Sequence, residues 1–125
     1  MVHTITTGAS GTAVIEVSST SAGTYSTAAK LGTTAITGSP KEYTFIAGVV
    51  SAASSTLTVT SGNKVAGTEN HTLTATILDS SSNPISGAVV TFGPTANIDL
   101  GSGVGVAHDV NTGVNGTAVI VVSST

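Results

Sequence analysis

The chain has 125 residues, the length of one ordinary domain, and carries only three lysines, three aspartates and three glutamates for a formal net charge of -3. With no arginine and so few lysines there is no basic groove for phosphate, which sets nucleic acid aside as a partner. The absence of cysteine excludes disulfides and thiolate ligands, no apolar run approaches the ~18 residues of a membrane span, and Met1 leads directly into polar residues rather than a signal peptide. Serine and threonine, about a third of the chain, take over the wetting of the surface. Threonine does so without giving up strand propensity, because its branched Cβ suits a pleated sheet.

No segment sustains a 3.6-residue apolar period, so no helix is predicted, and short alternating runs separated by turn clusters point to strands. The first is residues 12–18, with Ala13, Ile15 and Val17 on one face and Glu16 on the other. Residues 23–29 follow, with Tyr25, Thr27 and Ala29 sharing a face, then 41–47 with Tyr43 and Phe45 inward. Residues 55–61 alternate Leu57 and Val59 with threonines, and 71–79 alternate Leu73, Ala75 and Ile77 with Thr72, Thr74 and Thr76. "SSSNPISG" breaks the pattern at Pro84 and Gly87, after which 88–92 turns Val90 and Phe92 inward. A weaker strand lies near Ile98–Leu100, and residues 117–123 form the last. Seven or so short strands per unit read as a two-sheet sandwich, with Tyr25, Tyr43, Phe45 and Phe92 among its core residues.

The chain repeats itself. His3 to Thr20, "HTITTGASGTAVIEVSST", matches His108 to Thr125, "HDVNTGVNGTAVIVVSST", at a constant offset of 105 without a gap. A match of that length indicates tandem duplication, so the chain holds one 105-residue unit plus the tail of the unit before it. Gly11 and Gly116 occupy the same turn position in both copies, as expected of a backbone at positive φ.

Three stretches resemble the bacterial immunoglobulin-like repeats of the invasin and intimin adhesins: "HTLTATILDSSSNPISGAVVTF" (71–92), "NTGVNGTAVIVVSST" (111–125) and "SAGTYSTAA" (21–29). The family pattern is a Thr-rich strand ending in Asp, a turn containing Asn-Pro, a Gly-Ala-x-Val-x-Phe strand, an Asn-Gly turn before a Val-rich strand, and then Ala-Gly-Thr-Tyr. The turn here reads Ser-Asn-Pro where the family has Gly-Asn-Pro. The resemblance implies an all-β, immunoglobulin-like sandwich acting as a spacer in a large adhesin, outside the bacterial cell. It also implies that residues 1–48 are the last strands of one repeat and residues 49–125 the first strands of the next.

Two unfinished sandwiches joined by "AGVVSAAS" (47–54) pose a closure problem. That linker reaches at most about 27 Å, against about 35–40 Å across a sandwich whose strands rise about 3.3 Å per residue. Exchange of strands with neighbouring repeats or other copies of the chain is therefore expected.

Candidate chemistry is sparse. His3, His71 and His108 lack the company a zinc site needs. His108 and Asp109 are adjacent, and neighbours on a strand point to opposite faces, so there they cannot act together with a serine. "GSGVGV" (101–106) has neither the lysine nor the following helix of a phosphate loop. Asp99 and Asp109 flank that loop and are candidates for calcium, although the ion usually takes six to eight oxygens. Asn70-His71-Thr72 and Asn115-Gly116-Thr117 fit the glycosylation acceptor pattern but read as a strand start and a turn. Lys30, Lys41 and Lys64 fall outside core phase, which disfavours an isopeptide crosslink with an Asn. Tyr25 sits where a tyrosine corner would tie down the preceding turn. No constellation supports an enzyme. The alternative to a spacer is a module that binds host carbohydrate or protein through exposed loops such as 93–108.

Overall fold

A computed structural model describes residues 2–125, which contain strands and no helix. The ten strands are β1 (Gly23–Thr27), β2 (Lys30–Leu31), β3 (Thr34–Ala35), β4 (Lys41–Phe45), β5 (Ser51–Val59), β6 (His71–Leu78), β7 (Val89–Phe92), β8 (Ile98–Asp99), β9 (His108–Asn111) and β10 (Thr117–Ser124). They pair antiparallel into a four-stranded sheet of order β5-β6-β10-β8 and three two-stranded sheets, β7-β9, β1-β4 and β2-β3.

The core lies between the four-stranded sheet and β7-β9, an arrangement consistent with a β-sandwich. Alternation along β6 sends Leu73, Ala75 and Ile77 inward between threonines, and β10 answers with Ala118, Ile120 and Val122. The register sets Ala118 opposite Ala75 and Ile120 opposite Leu73. Phe92 and Val90 on β7, Val110 on β9 and Leu100 after β8 complete the cluster. Each of the larger buried side chains contributes about 1.5–3 kcal/mol. Buried Thr112 links the start of β7 to the end of β9: its Oγ1 donates to Ile85 O (2.6 Å) and accepts from Ala88 N (2.9 Å).

The leading part of the chain folds separately as the β1-β4 hairpin, in register from Gly23↔Phe45 to Thr27↔Lys41. That register places Tyr25, Tyr43 and Phe45 on one face, with ring centroids 6.0 Å and 5.9 Å apart in edge-on pairs. The Tyr25 hydroxyl donates to Ser21 O at 3.0 Å, the tyrosine-corner bond expected for this position. No second sheet covers these rings, so Tyr25 is exposed and Tyr43 and Phe45 are half-buried. Of the four aromatics assigned to the core, only Phe92 is buried.

The predicted strand over 12–18 does not form. Residues 12–19 have no regular structure and every one is exposed, whereas the matching 117–124 is β10. The turn before them forms in both places: Gly8 N bonds Thr12 O and Gly11 N bonds Gly8 O, just as Gly113 N bonds Thr117 O and Gly116 N bonds Gly113 O. The turn closes on its own residues, but a strand needs a neighbour, and only β10 has β6 beside it. Two further differences are local. β5 begins at Ser51, so the connection after β4 is residues 46–50 rather than 47–54, and a register shift between Ser51 and Thr56 absorbs the serines. β9, β2 and β3 were not anticipated, being short or weakly alternating.

Gly116 and Gly11 offer a matched test of this contrast. Both have positive φ, 73° and 75°. A Cβ on Gly116 would lie 2.7 Å from Ile77 O and 2.9 Å from Pro84 Cβ, while one on Gly11 would meet nothing within 4 Å. Gly116→Ala is expected to cost at least about 2 kcal/mol, strain at the left-handed residue plus displacement of β6. Gly11→Ala is expected to leave the urea midpoint of the core unchanged, which equilibrium denaturation of both variants measures.

Candidate functional site

Two features stand out, a polar clasp and an apolar cleft. The clasp grows from the turn after β6. Asp79 directly follows that strand and is 5% exposed. Its Oδ1 accepts from the backbone N–H groups of Ser81 (2.9 Å) and Asn83 (2.8 Å), a side-chain-closed turn of the kind aspartate favours. Its Oδ2 accepts from the Asn83 side chain (2.9 Å) and from Gly48 N (2.8 Å), which belongs to the connection after β4. Asn83, held by Asp79, reaches the other end of the hairpin: Oδ1 accepts from Ala22 N (2.7 Å) and Nδ2 donates to Thr20 O (2.9 Å). Both ends of the β1-β4 hairpin are thereby tied to the one turn after β6.

The electrostatics follow from the donors. The Gly48 N–H, then the Asn83 side chain and backbone and the Ser81 N–H, hold the Asp79 carboxyl down at about 2, against the opposing pull of burial.

The cleft opens between the four-stranded sheet and β7, with a volume of about 530 Å³. Leu73, Ala75 and Ile120 line one wall, Val90 and Phe92 the other, and Leu57 lies at the β5 side; no charged side chain lines it. None of its lining residues precedes Val50, so the chain's own hairpin does not fill it.

The other candidates have local roles. Asp99 accepts from Gly101 N (2.7 Å) and Gly103 N (3.0 Å), closing the glycine loop on itself. Asp109 accepts from Thr91 Oγ1 (2.6 Å) across the β7-β9 pair. They sit in different sheets, and the described residues contain no group of three or more His, Asp or Glu able to hold a metal ion. His71 Nδ1 lies 3.1 Å from Thr60 Oγ1 at a strand end. His108 is half-buried and Asp109 exposed, alternating as expected for neighbours on β9. His3 is exposed in the unpaired leading segment, and Lys30, Lys41 and Lys64 are exposed.

Asp79 and Asn83 were placed at a strand end and a turn but given no joining role. The available signal was an Asp and an Asn bracketing a turn of otherwise small residues; their partners, Thr20, Ala22 and Gly48, are too distant in sequence to be read from it. Comparisons with protein-family models, curated proteins and solved structures found no match to this chain.

Because the folded carboxyl is depressed from 3.8 to about 2, its contribution is full above the unfolded value and is lost as pH falls through the folded one. Asp79→Asn keeps the shape but cannot accept from Gly48 N through its amide nitrogen. The wild-type chain is expected to exceed Asp79→Asn in thermal midpoint at pH 7, with the gap closing between about pH 4 and pH 2. Melting curves of both proteins across that range measure it.

Proposed function

We propose that the protein is a structural spacer: an immunoglobulin-like repeat of a tandem array in a large bacterial surface adhesin, holding a distal binding domain away from the cell. The observation that carries this reading is the clasp. A flexible connection of residues 46–50 would leave successive units free to swing, but bonds from Asn83 to Thr20 and Ala22, and from Asp79 to Gly48, restrain the junction at both ends of the hairpin. Restrained junctions make contour length grow in proportion to copy number, which is the property a spacer needs. The 105-residue duplication, the two-layer core and the Tyr25–Ser21 bond support the same reading. A sugar-binding role finds less support: loop 93–108 contains no aromatic residue, and the hydroxyls of Tyr25 and Tyr43 are engaged by Ser21 and Thr27.

Chains of two, four and six 105-residue units measured by small-angle X-ray scattering test the proposal. The maximum dimension is expected to rise by a constant increment per unit, and Asp79→Ala with Asn83→Ala in every unit to shorten it. Growth as the square root of unit number in the unaltered array would contradict it.

A further inference from the structure

We propose that the apolar cleft is the docking site for the β1-β4 hairpin of a second copy of this chain. The inference concerns the 125-residue chain and rests on the repeat and on the cleft.

The molecule has two uncovered apolar faces that complement each other. One is the cleft, a concave surface without charge, lined mainly by aliphatic side chains and Phe92 with a few serines and threonines among them. The other is the aromatic face of the hairpin, where Tyr25, Tyr43 and Phe45 project from one side with no opposing sheet. Uncovered apolar area of this kind is a driving force for association.

The repeat says which segment belongs in the cleft. In the first copy, "GTAVIEVSST" runs directly into Ser21 and the hairpin. In the second copy the same words form β10, and Ile120 and Val122 of β10 line the cleft. By the 105-residue offset, the segment that follows a strand of the β10 type is the hairpin. Within these 125 residues that hairpin occurs once, ahead of β10 rather than after it.

The chain's own hairpin is held elsewhere. Its two ends, near Ala22 and Gly48, are bonded to the turn between β6 and β7, and its connection to β5 is only residues 46–50. A second molecule has no such restraint. Free strand edges supply the remaining bonds: β7 pairs only with β9, and β1 only with β4. Docking β1 of one molecule on the open edge of β7 in another creates a sheet of order β9-β7-β1-β4, facing β5-β6-β10-β8 across a filled core.

Sedimentation equilibrium of the full chain from about 1 to about 200 μM tests this directly. The mass is expected to climb from 12.1 kDa to at least twofold that value. Both tyrosines lie on the hairpin and the chain has no tryptophan, so near-ultraviolet tyrosine dichroism is expected to strengthen along with the mass. Tyr43→Ser with Phe45→Ser, which lie outside the buried cluster, is expected to remain a folded monomer throughout. A chain carrying a duplicate of residues 21–47 after Thr125 is expected to fill its own cleft, stay monomeric and unfold at a higher temperature. A wild-type mass fixed at one chain overturns the proposal. So does association that survives Tyr43→Ser with Phe45→Ser, or an extended chain that associates as strongly as the original.

Discussion

A β-strand satisfies its backbone donors and acceptors on a neighbour, and β6 is that neighbour for both β5 and β10. The rest of the fold depends on this one strand. Its inward Leu73, Ala75 and Ile77 form the floor of the core, its register aligns Ala118 and Ile120 above that floor, and Asp79 follows directly on its last residue, Leu78. β6 pairs with β10 from Thr117 to Val122 and β8 adds only Ser123 and Ser124; without such neighbours the same run has nothing to bond. Residues 12–19 stand in that situation: the same TAVI run, the same preceding turn, no partner and no strand. Strand propensity is thus permissive rather than decisive in this chain.

The shortage of charge shapes how the molecule spends its polar groups. Each of the three aspartates is engaged within the chain: Asp79 and Asp99 accept from the backbone of a turn and of a glycine loop, and Asp109 accepts from a cross-strand hydroxyl. Hydroxyls do comparable work in the sheets, as Thr112 does between β7 and β9 and the serines do around the bulge of β5. Among the described residues no buried side-chain nitrogen or oxygen lacks a partner. A chain this poor in ions therefore still satisfies its interior, because hydroxyls and short loops supply the missing bonds.

Much of the architecture could be read from alternation. The phases of β6, β7 and β10 follow from period-two patterning, and Leu73, Ala75, Val90, Phe92, Ala118 and Ile120 all turn inward as that patterning requires. The positive φ of Gly11 and Gly116 was legible because the two copies keep glycine where their neighbours differ. What alternation cannot report is whether a face finds something to cover it. Ile15, Tyr25 and Leu57 have the phase of core residues and remain exposed, because the sheet that would oppose them is not beside them. The clasp was hidden for a related reason: it joins Asn83 to Thr20 and Ala22 across about half the chain, and no local pattern marks such a pairing.

The dependence of strand on partner can be measured within one molecule, since the two copies share nearly the same words and hence nearly the same intrinsic amide exchange rates. Hydrogen–deuterium exchange read residue by residue compares residues 13–17 with 118–122. The account predicts strong protection at those β10 amides that bond to β6, and exchange at the unprotected rate throughout 13–17. Equal protection of the two segments would contradict it.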